Sequence, residues 1–312
     1  MSHTSTPRLS RSTAPSTSSR AGRVASLIAR TARSSSSSGA TRSSRDEELL
    51  RAVRASREAT LPAREEVEGA VDRLRRGVEV WLDGEAEAPL TFDDAWGGLV
   101  NCGCSWNGDG CGNAYPDCPS YADPGLNFGN GYYNDHHFHY GYHIYAAAVV
   151  ARHDREWGKR HFERVMLYIR DIANPSEGDG YFPVFRQKDW YMGNSWASGI
   201  ALLGGKPYSN GRNQESSSEA IAAYEGIAMF GSVMMESFGS GKSASLSDNQ
   251  NAHTARRISD IGRLLMATEI RATDRYWHVY STKRDQIYQD SYTPAVVSMM
   301  WDTMCQFQTW FG

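Results

Sequence analysis

Residues 132–148 read YYNDHHFHYGYHIYAAA and predict an apolar helix with a polar, aromatic-rich start. Asn134 and Asp135 are residue types that cap helices, and the apolar run that follows them is compatible with a helix. On such a helix Asp135, His139 and His143 recur every four residues and share one face. A polar face on a buried element costs stability unless it serves a purpose, so this stretch is a candidate site.

A second cluster of acidic residues lies at residues 212–220, which read RNQESSSEA. Asn213 is a plausible helix cap, and Glu215 and Glu219 lie one helical turn apart beside small residues that leave room for a ligand. Like charges this close repel, so at least one should be harder to ionise than a free glutamate. Glu215 falls in the predicted first turn, where the helix dipole favours the ionised form, and is therefore slightly favoured as a general base. The ordinary alternative for such a pair is a solvated helix face.

Aromatic and charged residues alternate between these clusters, in residues 181–199, which read YFPVFRQKDWYMGNSWASG. Flat rings beside hydrogen-bonding groups suit a polymer of sugar rings, although a packed loop is an equal alternative. Hydrolysis of a glycosidic bond needs one carboxylic acid and one carboxylate on opposite sides of the bond. Asp135 and a glutamate from another helix permit such a separation, and an aromatic surround would raise the pKa of Asp135 so that it acts as the acid.

Charge is distributed unevenly along the 312 residues, whose formal net charge is −3. Residues 1–45 contain eight arginines and no acidic residue, which leaves −11 for residues 46–312. An acidic folded part argues against nucleic acid as the main partner. We expect residues 1–45 to be a disordered Ser/Arg-rich segment, although their composition also resembles a transit peptide. No apolar run approaches the ~18 residues of a membrane span, and no clear signal peptide is present.

Four of the five cysteines fall between Cys102 and Cys118, in the spacing C-x-C-x6-C-x6-C. Two disulfides, a zinc knuckle and free thiols all remain open, although the paired C-x2-C of most zinc sites is absent. Cys305 lies in an apolar run that we interpret as a helix, which predicts a core position.

Apolar periodicity predicts a mainly α protein with little sheet. The predicted helices cover about residues 63–82, 136–152, 157–172, 195–203, 214–238, 252–271 and 294–311. Helices joined by polar, aromatic-rich connections suggest helical hairpins around a common centre.

Several motifs, in order over about residues 65–312, resemble the C-terminal catalytic domain of glycoside hydrolase family 81, the endo-1,3-β-glucanases. They are FGNGYYNDHHFHYGYHIYAA, RDIANPS, YFP-x-FR-x-KDW, SWASG, NQESSSEA, LLMATEIRAT-x-x-YWH and WDTMCQFQTWFG. The resemblance implies an (α/α)6 helical toroid, an inverting mechanism and β-1,3-glucan as substrate. It places Asp135 on the family's general acid, His139 on a nearby histidine, and Glu215 and Glu219 on paired glutamates of which one is the base.

We expect further residues of these motifs to bind substrate, and we expect no cofactor and no metal. The predicted substrate-binding residues are Tyr133, His136, Tyr142, Arg186, Lys188, Asp189, Trp190, Trp196, Asn213 and Gln214. Two other hypotheses remain: a non-catalytic glucan-binding remnant, and a metal-dependent enzyme that uses Asp135, His139 and His143.

The chain also departs from the family pattern. Family members carry a β-sandwich domain before the toroid, and the helical domain continues beyond the position that matches Gly312. The chain has about seven predicted helices where a closed ring needs about twelve, so we expect a partial toroid over residues 46–312 that is incomplete at its C-terminus. The family resemblance, rather than any residue of this chain, implies secretion.

Overall fold

A computed structural model describes most of the chain from Arg64 onward. The described residues are 64–105, 111, 118–200, 209–239, 245–280 and 287–306. The Ser/Arg-rich segment predicted to be disordered lies outside them. None of the described helices is both long and apolar enough to cross a membrane.

Five α-helices form the main part of the described structure. They are α1 (Arg64–Leu82), α2 (His136–His153), α3 (Arg155–Ala173), α4 (Ser217–Gly239) and α5 (Leu246–Ala272). The mainly α prediction is confirmed, as are the five corresponding helices within a few residues at most of their ends. The exception is the start of α5, which begins six residues before the predicted residue 252. Ser245 and Asp248 form a capping box there, and such polar first turns do not contribute to apolar periodicity.

The centre of the core is α4, which packs against α2 on one side and α5 on the other. Glycines allow these close approaches because a side chain would collide with the neighbouring helix. A Cβ on Gly141 of α2 would lie 2.5 Å from the Cβ of Ala223, and a Cβ on Gly262 of α5 would lie 2.5 Å from the backbone nitrogen of Ala228. Gly226 is one of the small residues near Glu215 and Glu219 that the sequence predicts to leave room for a ligand, but the backbone of Tyr145 fills the space beside it.

Two small antiparallel sheets accompany the helices. Strands β1 (Leu90–Asp93) and β2 (Gly98–Asn101) form a hairpin. Strands β3 (Asn213–Gln214), β4 (Met299–Trp301) and β5 (Cys305–Gln306) form a three-stranded sheet in that order. This confirms the prediction of little sheet.

Two predicted helices are wrong where the structure describes them. Residues 195–200 are extended because their backbone bonds to other segments: the Trp196 N–H donates to the carbonyl of Gln187 and the Ala197 N–H to that of Asn213. The predicted helix 294–311 contains β4 and β5 instead, because a short apolar run does not distinguish a buried strand from a helix. Cys305 is consequently an exposed free thiol, not a core residue.

The clustered cysteines form two disulfides, Cys102–Cys118 and Cys104–Cys111, which decides between the three alternatives left open by their spacing. The first bond joins the end of the β1–β2 hairpin to the short 3-10 helix Pro119–Tyr121. That helix leads into a second one, Leu126–Tyr132, which ends just before the start of α2. The disulfide region therefore precedes and braces the histidine-rich segment.

Candidate active site

Asp135 lies at the residue before α2 in a left-handed conformation, with φ of 58°. Its N–H donates to the carbonyl of Ala197 over 2.8 Å, which fixes this conformation against the extended segment 195–200. The carboxylate makes no capping hydrogen bond to the helix, contrary to the expectation from residue type. A left-handed non-glycine residue stores strain of about 1 kcal/mol or more and is found disproportionately at functional sites. The carboxyl group of Asp135 therefore makes no hydrogen bond to the backbone at the start of α2.

The electrostatic surroundings of Asp135 favour its protonated form. Burial, followed by the negative charges of Glu215 and Glu219, raises the pKa of this carboxyl to about 8. The two glutamates therefore act on the same region of the molecule as Asp135, although they come from a segment some eighty residues away. At neutral pH the group is a carboxylic acid with a proton to donate.

The two glutamates occupy different positions with respect to α4. This helix begins at Ser217, so Glu219 lies in its first turn and Glu215 lies ahead of it. The predicted position of Glu215 in the first turn is thus wrong, and so is the helix cap at Asn213, which pairs with Trp301 in the β-sheet. Burial and then the charge of Glu219 raise the pKa of Glu215, as expected for one member of such a pair.

Glu219 is connected to α2 through Tyr142. The exposed tyrosine hydroxyl donates to Glu219 Oε1 over 2.6 Å, and this hydrogen bond raises the pKa of Tyr142 to about 12. In contrast, no hydrogen bond to the carboxylate of Glu215 occurs among the described residues. Tyr142 and Glu219 also border an apolar groove of about 420 Å³ between α1, α2 and α4, which Ala222 and Val149 help to line.

His139 lies one turn into α2 and is partly buried. Burial, followed by the nearby His136 and His143, lowers its pKa to about 4, so the ring is neutral at pH 7. The ring lies 5.9 Å from that of Phe128, which is 77% exposed and has a φ of 57°. Phe128 is not among the predicted site residues, because the Asn/Gly-rich run around it indicates a loop but does not specify an outward-facing ring.

His143 does not join Asp135 and His139 in a cluster that resembles a metal site. Its Nδ1 lies 2.9 Å from the carbonyl of His139, and its ring packs between Trp81 and Tyr168. Within the described part of the chain, no group of three or more His, Cys, Asp or Glu residues is arranged to hold a metal ion.

Two predicted substrate-binding residues are instead part of the core. His136 is fully buried, and its ring nitrogens lie 2.6 Å from Asp171 Oδ2 and 2.9 Å from the carbonyl of Asn130. Tyr133 is 1% exposed and donates to Asp93 Oδ2 over 2.7 Å. Both side chains are enclosed and hydrogen-bonded, which gives them a structural role, and their contact with substrate stays a prediction.

Arg186 belongs to the same buried cluster. Its guanidinium lies 4.1 Å above the ring of Tyr133, 3.5 Å from Asp171 Oδ1 and within hydrogen-bonding distance of the carbonyl of Gly97. The arginine therefore connects the β1–β2 hairpin to the start of α2, which differs from the predicted substrate contact. Asp171 was not singled out in the sequence because its partners are distant along the chain.

A second buried network contains Lys188 and Gln214, which were also predicted to bind substrate. The Lys188 side chain is 1% exposed and lies 3.2 Å from Glu269 Oε2. The amide of the fully buried Gln214 donates to Glu269 Oε1 over 3.0 Å. Neither side chain reaches the surface, and Asn213 is 7% exposed and bonds to Ser198. Substrate binding by these three residues stays a prediction.

The remaining predicted binders differ in exposure. Trp190 is 50% exposed and makes an edge contact with Phe185, so its ring remains accessible to a ligand. Trp196 is 4% exposed, and its indole N–H donates to Asp189 Oδ2 over 3.0 Å. Asp189 also accepts the backbone N–H of Tyr191. Trp196 and Asp189 thus stabilise a loop, and their contact with substrate stays a prediction, whereas Trp190 and Tyr142 are placed where a ligand can contact them.

Comparison with known proteins places this chain in a family. The sequence model of the glycosyl hydrolase family 81 C-terminal domain matches residues 57–312. A glucan endo-1,3-beta-D-glucosidase of Acetivibrio thermocellus is 33% identical over 245 residues, which is 77% of this chain and 25% of the relative. The primary septum glucan endo-1,3-beta-D-glucosidase of Schizosaccharomyces pombe is 37% identical over 172 residues, which is 54% of this chain and 15% of the relative. The chain thus spans a quarter or less of the length of these two relatives.

A solved structure supports the same placement. A glycoside hydrolase family 81 protein from Clostridium thermocellum, determined as a glutamate-to-alanine mutant, matches with a TM-score of 0.55 and 30% identity. The match covers 77% of this chain and 28% of that protein. Both the mainly helical fold of the (α/α)6 type and the resemblance inferred from the motifs are confirmed. The chain belongs to glycosyl hydrolase family 81 and matches its C-terminal domain.

Proposed function

We propose that this chain hydrolyses internal β-1,3-glucosidic linkages of β-1,3-glucan with inversion at the anomeric carbon. The observation that carries the proposal is the placement of Asp135, whose pKa is about 8 through burial and then through the charges of Glu215 and Glu219. A protonated carboxyl group beside an ionisable one is the pair that glycoside hydrolysis requires. The substrate is proposed from the printed activity of the relatives and from the family.

In the proposed mechanism Asp135 gives its proton to the glycosidic oxygen as the bond to the anomeric carbon breaks. Glu215 takes a proton from a water molecule, whose oxygen attacks the anomeric carbon from the opposite face. The products are a new non-reducing end and a reducing end with inverted configuration. Inverting enzymes separate the two carboxyl groups by about 6.5–9.5 Å to leave room for this water.

Glu215 is the better candidate for the base because its carboxylate has no hydrogen-bond partner among the described residues. Glu219 already accepts the hydroxyl of Tyr142 and would orient Glu215 or the water. His139, neutral at pH 7, would donate to or accept from a sugar hydroxyl. The ring of Phe128 and that of Trp190 offer exposed faces for sugar stacking.

The test is replacement of the proposed acid. Asp135→Asn should lower the release of reducing ends from laminarin-type glucan by about 10²–10⁴-fold, the contribution expected of general acid catalysis. Asp260→Asn, at an exposed position on α5, is the matched control and should keep the unmodified rate. Anomer-resolved proton NMR of the first product should show the inverted configuration.

Unchanged turnover of the Asp135→Asn variant would exclude the hydrolytic mechanism. Glucan binding by the unmodified chain, with no product and with no loss of affinity in Glu215→Gln and Glu219→Gln, would instead support the non-catalytic glucan-binding alternative.

A further inference from the structure

The buried carboxylate of Glu269 on α5 has no role in the proposed chemistry, although it accepts four hydrogen bonds. Its Oε1 accepts the backbone N–H of Ser195 over 3.2 Å and the side-chain amide of Gln214 over 3.0 Å. Its Oε2 accepts the hydroxyl of Ser195 over 3.0 Å and the ammonium of Lys188 over 3.2 Å. Glu269 is fully buried, so it does not touch a substrate.

Two residues that donate to Glu269 belong to segments next to the proposed catalytic carboxyl groups: Gln214 lies in the segment that contains Glu215, and Ser195 lies in the segment that hydrogen-bonds to Asp135. Gln214 directly precedes Glu215 in the chain. Ser195 lies two residues before Ala197, whose carbonyl accepts the N–H of Asp135 over 2.8 Å and whose N–H donates to the carbonyl of Asn213 over 2.7 Å. The main chain at Ala197 is therefore a direct bridge between the segments that contain Asp135 and Glu215, and Glu269 is bonded to that bridge at Ser195 and to the Glu215 segment at Gln214.

The network permits few alternative arrangements. Lys188 also donates to the carbonyl of Gly193 over 2.5 Å, and the Ser195 hydroxyl lies 2.5 Å from that of Tyr224 on α4. Breaking a buried ion pair leaves an uncompensated charge, and a shift of either segment would leave donors unpaired. The segments consequently have one preferred register relative to α5.

We propose that Glu269 is a positioning residue, which fixes Gln214 next to Glu215 and the segment around Ala197 that holds Asp135, and so sets the separation of these two carboxyl groups. The predicted effect of Glu269 on kcat rests on the proposed function. Its predicted effect on the arrangement of the two carboxyl groups does not. The orientation of reacting groups contributes strongly to rate, and a misplacement of about 1 Å can cost 10²-fold.

The test is Glu269→Gln, which keeps the shape of the side chain. The new amide group is a hydrogen-bond donor, and it would face the donors Lys188, Ser195 and Gln214. We expect kcat on laminarin-type glucan to fall at least tenfold, while KM changes less than threefold because the exposed rings are unaffected. Glu163→Gln, at an exposed position of α3, is the matched control and should leave both constants unchanged.

A second readout separates positioning from a general loss of stability. Carbon-13 NMR of the carboxyl groups would report the titration of Asp135, with its signal assigned by its absence in Asp135→Asn. In Glu269→Gln, we expect the midpoint of this titration to move by at least one pH unit from that of the unmodified chain, because the distances from Asp135 to Glu215 and Glu219 change. A residue that only stabilises the fold would not move this midpoint in a folded variant.

Gln214→Met is a milder variant that removes one bond to Glu269 and serves if Glu269→Gln does not fold. We expect it to lower kcat at least threefold and to shift the Asp135 midpoint in the same direction as Glu269→Gln. Folded variants with an unmodified Asp135 midpoint and unmodified kcat would overturn the inference. If Asp135→Asn retains turnover, the proposed function fails, and the carboxyl titration alone decides whether Glu269 positions these groups.

Discussion

At the scale of single residues, the proposed acid role of Asp135 depends on its backbone conformation. The carboxylate of an aspartate that caps a helix normally accepts a backbone N–H of the first turn, where the helix dipole favours the ionised form. Asp135 is instead left-handed, makes no capping bond and has a pKa of about 8 because of burial and then two nearby glutamates. The same side-chain type in the usual capping geometry would be ionised at pH 7 and unable to donate a proton.

The pH dependence of activity should therefore have an alkaline limb near pH 8. Activity falls as pH rises through the pKa of Asp135, because the acid loses its proton. Activity also falls at low pH as Glu215, whose pKa burial raises, becomes protonated. Initial rates of reducing-end release between pH 4 and 10 would check this; an alkaline limb that persists well beyond pH 9 would contradict it.

The thermal stability of the chain should also depend on the ionisation of Asp135. The folded-state pKa of about 8 lies above the ordinary value of 3.8, so ionisation of Asp135 destabilises the folded chain. The unmodified chain should lose thermal stability relative to Asp135→Asn as pH rises from 3.8 to about 8, and the difference should then level off. Differential scanning calorimetry of the two proteins over this range measures the effect without any need for turnover.

The two glutamates should differ in their effect on rate. Glu215→Gln removes the proposed base and should lower kcat by at least 10²-fold. Glu219→Gln keeps an oxygen that accepts the Tyr142 hydroxyl, so we expect a smaller loss, about tenfold. Rate measurements on both variants decide the order; the opposite order would assign the base to Glu219.

At the scale of elements, the site depends on how closely α4 approaches its neighbours. Gly141, Gly231 and Gly262 lie at contacts where a Cβ would come within 2.5 Å of an atom of the facing helix. The Gly141 contact brings α2 and α4 together, and with them Tyr142 and Glu219, whereas the Gly231 and Gly262 contacts join α4 to α5. Small residues in a helical pattern are compatible with many packings, and only the observed contacts show which ones are required.

Gly262→Ala should destabilise the chain by about 1–3 kcal/mol, because the added Cβ would lie 2.5 Å from the backbone of Ala228. Gly77→Ala on the exposed face of α1 is the matched control, since nothing lies within 4 Å of an added Cβ there. The control should stabilise by up to about 1 kcal/mol through helix propensity. Urea denaturation of both variants would measure the difference, and equal effects would contradict the packing argument.

At the scale of the whole molecule, the described residues enclose two polar networks within a helical core. One joins His136, Asp171 and Arg186 below the start of α2, and the other joins Lys188 and Glu269 between α5 and the extended segment. Buried polar groups are retained at a cost unless all their partners are present. The first network contacts the start of α2 through His136, and the second contacts the Glu215 segment through Gln214.

Turnover should not depend on a divalent metal. Asp135, His139 and His143 do not converge on one point, since the last is packed between Trp81 and Tyr168. Exhaustive treatment with a chelator should leave the rate of reducing-end release within twofold of the untreated rate. A loss restored by added metal would revive the metal-dependent hypothesis.

The sequence by itself determined the five described helices, the scarcity of sheet, the family and the candidate carboxylates. Local periodicity and short collinear motifs depend only on neighbouring residues, which is why they could be read from the chain. Only the tertiary structure decided that Tyr133, His136, Lys188 and Gln214 are buried and that Glu215 lies ahead of its helix. Burial and pKa depend on partners far along the chain, such as Glu269 for Gln214 and the two glutamates for Asp135, and no local pattern specifies those distances.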